Sequence, residues 1–214
     1  MFITFEGPEG SGKTSQIIPL ADFLREKGFN VITTREPGGT AIGEQIRDIL
    51  TRLDNTGMHP RAEILLFLAA RAQLVEQSIR PHLEQGSLVI SDRYADATLA
   101  YQGYGHGTDL QLLHQLLNFA TGNLWPDLTI LLNLDPENGL QRKRSEGEWN
   151  RLDAYELAFH KRVWQGYQEL AHQDPQRWVI IDASQPLDIV QREIRQVILE
   201  RLPDRFVSNA SHSR

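Results

Sequence analysis

The sequence predicts a three-layer α/β fold, a five-stranded parallel sheet covered on both faces by helices. Short apolar, β-branched runs alternate along the chain with longer stretches of helical periodicity, the order that right-handed crossovers between parallel strands require. Most of the runs are continuously apolar, as expected of strands buried on both sides. The first run, Met1-Phe2-Ile3-Thr4-Phe5, leads directly into Gly7-Pro8-Glu9-Gly10-Ser11-Gly12-Lys13-Thr14, a glycine-rich loop opening an amphipathic segment.

Strands are expected at 2–6, 29–34, 88–92, 128–134 and 178–182. Helices are expected near 15–27, 40–53, 61–84, 109–120, 153–173 and 186–201. Gly28 and Gly122 stand where helix C-caps belong. Thr108 followed by Gln111 resembles a capping box, and Pro136 after Asp135 a helix start. Pro19 falls in the second turn of the first helix, where it removes a backbone hydrogen bond. No repeat or low-complexity linker divides the chain, so one domain is expected over 1–203 and a polar, disordered tail over 204–214.

The 214 residues are 40% hydrophobic, enough for a sizeable core. A formal net charge of −6 argues against a nucleic-acid polymer or an anionic membrane as partner, so anionic ligands must be held by local basic groups. The absence of cysteine excludes disulfides and thiolate metal sites and fits a reducing compartment. No signal segment and no run of about 18 apolar residues is seen, so a cytoplasmic, soluble protein is expected. The seven histidines lack ligand-like spacing, leaving Mg²⁺, carried in with a nucleotide, as the expected metal.

The loop fits G-x-x-x-x-G-K-[ST]. Its backbone N–H groups and the following helix N-terminus form an anion cradle, Lys13 reaches the β- and γ-phosphates, and the Thr14 hydroxyl ligates Mg²⁺. Ligands of such sheets bind beyond the carboxyl ends of the strands. The second strand ends there in Arg35-Glu36-Pro37-Gly38-Gly39, where Arg35 either grips a phosphate or is a solvated side chain on a tight turn. The third ends in Ser91-Asp92-Arg93-Tyr94; Asp92 is placed to hold Mg²⁺ and Arg93 to neutralise a transferring phosphoryl group. Asp135, after the fourth strand, competes for the acidic role but is better explained as a helix cap. Phe67 and Arg71, four apart on one helix face, suit either a core or a flat ligand with a ring to stack and polar edges to bond. The run Gln141-Arg142-Lys143-Arg144-Ser145-Glu146-Gly147-Glu148-Trp149-Asn150-Arg151 reads either as a lid closing over phosphates or as a solvated helix face.

With these motifs and Ala100-Tyr101-Gln102-Gly103 in this order over residues 1 to about 155, the chain resembles the thymidylate kinase family, which phosphorylates dTMP to dTDP in dTTP synthesis. The resemblance implies a P-loop nucleoside monophosphate kinase fold, a homodimer, ATP with Mg²⁺ and dTMP as ligands, and a lid over about 141–151. It implies that residues 7–14 cradle ATP, that Glu9 meets the acceptor's 3′-hydroxyl, and that Arg35 and Arg93 hold the dTMP phosphate. Phe67 is implied to stack on thymine, Arg71 to bond its O4 edge, Thr98 and Gln102 to approach the base, and Tyr101 to crowd out ribose. The loop lacks an Arg beside Glu9, so the chain resembles the bacterial type in which lid arginines, here Arg142, Arg144 and Arg151, supply catalytic charge. Ala97, His106, Glu146 and Asn150 depart from the family pattern, the first two near the base and the last two in the lid.

Phosphoryl transfer depends mostly on positioning and charge neutralisation, which these residues can supply. A same-fold kinase for dUMP, AMP or CMP is the nearest rival, since one methyl group is worth only about 1–3 kcal/mol. A GTPase-type switch calls for an Asn-Lys-x-Asp motif, and Asn133-Leu134-Asp135 has the wrong spacing. A catalytically dead subunit is expected to lack Lys13, Arg93 or the lid arginines, and all are present.

Overall fold

A computed structural model describes residues 1–147 and 149–202, with the Glu146 side chain excepted; Glu148 of the lid run and the expected 204–214 tail lie outside the described residues. Five strands, β1 (Phe2–Glu6), β2 (Val31–Arg35), β3 (Leu88–Asp92), β4 (Leu128–Asn133) and β5 (Trp178–Asp182), form one parallel sheet in the order β2-β3-β1-β4-β5. The chain builds one side of β1 with β2 and β3, then crosses to the other with β4 and β5. That reversal places the topological switch point beside the loop after β1, where such sheets bind ligands.

Successive strand residues face opposite layers, and both layers are apolar. Phe2, Val89 and Leu131 enter one core with Tyr94, Leu113 and Tyr167, whereas Ile3, Phe5, Ile90 and Ile130 enter the other with Leu20, Leu24 and Ile194. This two-sided burial is why the central strands read as unbroken apolar runs. β2 and β5 lie at the sheet edges and are only partly buried.

The helices are α1 (Lys13–Glu26), α2 (Ala41–Thr51), α3 (Pro60–Leu74), α4 (Arg80–Glu84), α5 (Ala95–Thr98), α6 (Leu110–Thr121), α7 (Pro136–Glu146), α8 (Leu157–Gln173) and α9 (Leu187–Arg201). Several differ from the sequence expectation for physical reasons. α1 begins two residues early because Gly12, left-handed at φ 84°, turns the loop straight into the helix, and it continues through Pro19. The expected helix over 61–84 contains a π-helical turn, Val75–Ile79, between α3 and α4. Asp109, not Thr108, caps α6, its carboxylate accepting from Leu112 N at 2.6 Å. α8 starts at Leu157 instead of 153, because Asp153 accepts from Asn150 N at 2.8 Å and closes a turn. The Leu99–Gly105 π-helical stretch after α5 was not expected; it packs on α8, with Gly105 against Phe159 and Gly166 against Tyr104. Asp135 caps α7 by accepting from Glu137 N and Asn138 N, and Gly122 ends α6 at φ 57°, both as read from sequence.

Candidate active site

Sheet register sets the first half of the site. Phe5 of β1 lies opposite Asp92 of β3, so the carboxylate at the end of β3 stands beside the loop that follows β1. Thr14, in the first turn of α1, donates its hydroxyl to Asp92 Oδ2 at 2.6 Å. Lys13 is buried over its own loop, its ammonium donating to Gly7 O (3.2 Å), Pro8 O (2.9 Å) and Ser11 Oγ (3.2 Å). Burial, together with the nearby Arg93 charge, pushes the Lys13 amine down to about 8. These groups line a wide cleft that also takes in Arg35 and Arg47.

Arg93 is the centre of the second half. It is one of two described non-glycine residues in the left-handed region, at φ 66°, a conformation kept only where surrounding contacts over-determine it. Those contacts are four hydrogen bonds from its terminal nitrogens, to Gly7 O (2.9 Å), the Tyr167 hydroxyl (3.0 Å), Glu9 Oε1 (2.7 Å) and the Tyr101 hydroxyl (3.1 Å). Beneath them Glu6 accepts from Tyr94 N (2.8 Å) and the Tyr167 hydroxyl (2.8 Å). Burial and the neighbouring Asp96 charge push the Glu6 carboxyl up to about 8. Glu9 also accepts from the Tyr101 hydroxyl at 2.8 Å. Burial alone would raise its carboxyl, but the charges of Arg93, Lys143 and Lys13 outweigh it and hold the group well below the usual carboxylate range.

A narrower cavity opens on the other side of Glu9 and Arg93, lined by Phe67, Ala97, Thr98, Tyr101 and Gln102. Phe67 is half-buried there. Arg71, 1% exposed, is fixed by an ion pair to Glu36 and by donation to Thr98 Oγ1 and Tyr94 O, both at 2.9 Å. Gln102 donates to Glu63 Oε1 at 2.8 Å, so its amide oxygen is oriented from behind the pocket. Of the departures near the base, Ala97 lines this cavity and His106 lies behind it against Phe159 and Tyr155, 3.4 Å from Glu63.

The lid run divides. Arg142 Nη1 donates to Ala183 O, beyond β5, at 3.4 Å, and Arg144 stacks on Trp149 at 4.7 Å. Arg151 is buried and turned to the back of the narrow cavity, donating to Leu50 O (2.8 Å), the Tyr155 hydroxyl (2.9 Å) and Glu63 Oε2 (2.6 Å). The structure therefore does not bring these three arginines together at the phosphate loop. Lys143 does reach it, at 3.1 Å from Glu9 Oε2. Arg35 pairs with Glu44 at 3.0 Å and is exposed, at the rim of the wide cleft. Sequence reasoning passed over Glu63, which collects Gln102 and Arg151, and Arg47, which lines both cavities and donates to Pro37 O at 2.9 Å. No motif marks either one; only the packing of α2 on α3 places them.

The arrangement is two cavities, one over the loop of residues 7–14 and one beside Phe67 and Arg71, which share Glu9, Glu36, Arg47, Arg93 and Lys143. A family model described as thymidylate kinase matches residues 5–194. A thymidylate kinase of Roseiflexus sp. (strain RS-1) is 51% identical, the match covering 92% of this chain and 93% of that protein. One from Deinococcus radiodurans is 49% identical over 94% of this chain and 97% of its own. The crystal structure of thymidylate kinase from Ehrlichia chaffeensis superposes with a TM-score of 0.75 at 35% identity, covering 92% of this chain and 98% of that one. On family match, identity and fold together, the chain belongs to the thymidylate kinase family.

Proposed function

We propose that residues 7–14, Asp92, Arg93 and the pocket around Phe67 and Arg71 carry out the ATP-dependent phosphorylation of dTMP to dTDP that membership of this family implies, within one catalytic domain over 1–203. The observation that carries the reading is the junction: Glu9, Arg93 and Lys143 line both cavities, so two nucleotides seated in them meet phosphate to phosphate. Residues 7–14 hold the ATP phosphates, with Lys13 exchanging its loop carbonyls for phosphate oxygens. Arg93, rigidly held, is aimed at charge that develops during transfer and needs no reorganisation. No general base is required, because the acceptor phosphate is already anionic at neutral pH.

Thr14 Oγ1 and Asp92 Oδ2, adjacent hard oxygens at the mouth of the loop, fit Mg²⁺ and would hold it, Asp92 in part through water. Bound with ATP, the ion neutralises charge on the β- and γ-phosphates.

Phe67 stacks on the thymine ring, Arg71 offers its remaining N–H to the O4 edge, and Thr98 and Gln102 flank the base. Tyr101, bonded to Glu9 and Arg93, stands where a 2′-hydroxyl would enter. Arg35 at the rim and Arg47, which lines both cavities, are further phosphate partners. A homodimer is supported by apolar exposure on adjacent helices, Leu65 of α3 with Leu112 and Phe119 of α6, the last 89% exposed. No helix among the described residues is long and apolar enough to cross a membrane. The test is ADP release from Mg·ATP with dTMP, dUMP, dCMP, AMP and GMP as separate acceptors. Strong turnover with dTMP and weaker turnover with dUMP is expected; turnover with none refutes the reading.

A further inference from the structure

α7 meets the phosphate loop backbone to backbone. A Cβ added to Gly10 would collide with the carbonyl of Gly139, and one added to Gly139 would collide with that of Glu9. This close approach fixes which face of the charged lid helix looks into the site. Lys143 stands one turn after Gly139 on that same face. Its ammonium lies 3.1 Å from Glu9 Oε2 and 3.0 Å from Asp153 Oδ1, with its side chain 15% exposed. Arg142 and Arg144 leave α7 in other directions, to Ala183 and to Trp149.

We propose that Lys143 is a further catalytic residue, contacting the phosphoryl group in flight between the two nucleotides. The inference rests on the kinase reading above and adds to it the identity of the lid cation that acts. An ammonium carries three N–H donors; Glu9 accepts one and Asp153 pairs with the charge at 3.0 Å, so a donor is left for a phosphoryl oxygen. Glu9 does not depend on Lys143, since Arg93 and Tyr101 already bond it. Asp153 is itself held by Asn150 N, so the ammonium sits between two fixed acids, preorganised at the junction of the cavities. In the transfer an acceptor-phosphate oxygen bonds the γ-phosphorus while the bond from that phosphorus to the β,γ-bridging oxygen breaks, its electron pair leaving on ADP. Lys143 forms no covalent bond and keeps its protons.

The test uses the full chain with Lys143→Met, which keeps the stem and removes the charge, and with Lys143→Arg, which restores it. Turnover with ATP and dTMP is measured beside calorimetric binding of each nucleotide alone and thermal unfolding. The expected result for Lys143→Met is kcat lowered roughly 10²-fold, with each dissociation constant within about threefold; the melting temperature falls by up to roughly 12 °C, because buried Asp153 loses its ion-pair partner, and turnover is therefore measured well below it. Lys143→Arg recovers kcat to within about tenfold of the unaltered enzyme. Should Lys143→Met not fold, Lys143→Gln serves the same comparison. A neutral variant as fast as the unaltered enzyme overturns the inference, as does a loss of kcat matched by an equal loss of nucleotide binding. An unaltered chain inactive on dTMP overturns the kinase reading first and this inference with it.

Discussion

Replacing Arg151 by Met separates two roles that a lid arginine can have. In the structure its guanidinium is buried and joined to Glu63, Leu50 O and the Tyr155 hydroxyl, so its removal strands a carboxylate that is 1% exposed. Breaking a buried ion pair on one side costs about 3–5 kcal/mol. Glu63 keeps Gln102 and Tyr155 as donors, which places the loss toward the lower end, about 3 kcal/mol. For a chain of this size that corresponds to a melting temperature lower by roughly 6–12 °C. Removing both charges, in Glu63→Leu with Arg151→Met, leaves no uncompensated ion. The double variant is therefore expected to be more stable than the sum of the single losses by about 1 kcal/mol or more. The assay is thermal unfolding of the four proteins at pH 7, with turnover measured well below the lowest melting point. There Arg151→Met should keep kcat within about tenfold and show its effect in KM for dTMP, because Glu63 anchors Gln102. An unchanged melting temperature with kcat down roughly 10²-fold would refute this reasoning and return Arg151 to the phosphates.

Lys13→Ala should lower kcat by about 3–4 kcal/mol of transition-state stabilisation, by analogy with loss of an oxyanion donor, and turnover kept within about tenfold would contradict its assignment. Phe67→Ala should raise KM for dTMP by the roughly 1–3 kcal/mol of one base–aromatic stack while the KM for ATP stays put; equal changes in both would mean that Phe67 supports the fold instead. Two carboxyls give stability opposite slopes with pH. The Glu63 carboxyl is held down to about 2, since the neighbouring His106 and the donors Gln102 and Arg151 outweigh the effect of burial, so its contribution is complete above the ordinary carboxylate range and fades as pH falls toward 2. The Glu6 carboxyl, pushed up to about 8, keeps its proton in the fold after the unfolded chain has lost it, so stability declines as pH rises from about 5 to 8. Denaturant unfolding across that range should show the decline, and Glu6→Gln should flatten it; an unchanged slope in Glu6→Gln would assign the decline elsewhere.

The parts legible in the sequence are those where local chain order decides placement. The loop over 7–14 must follow β1 and open α1, whereas Asp92 reaches it because β3 pairs with β1, a strand order that the alternation of elements does not itself give. Phe67 and Arg71 share a helix face by spacing alone, and both line one cavity. What stayed hidden depends on rotation and on distant partners. A run such as Arg142-Lys143-Arg144 does not say which of three neighbours turns inward; the Gly10–Gly139 approach, 129 residues apart in sequence, decides it. Arg151 ends the lid in sequence but is drawn inward by Glu63, 88 residues away. The helical stretch Leu99–Gly105 carries two glycines and two tyrosines and gains its support from α8, so no local propensity announces it.

Two cavities that share Glu9, Glu36, Arg47, Arg93 and Lys143 allow direct transfer between the nucleotides seated in them. The most direct measurement is the binding of a compound that joins adenosine to thymidine through a chain of phosphates spanning both cavities. Competition with both ATP and dTMP is expected, with a dissociation constant at least about 10²-fold below that of either nucleotide, because the second half binds at high effective concentration. Competition with only one nucleotide, or an affinity no better than the tighter of the two, would contradict direct transfer.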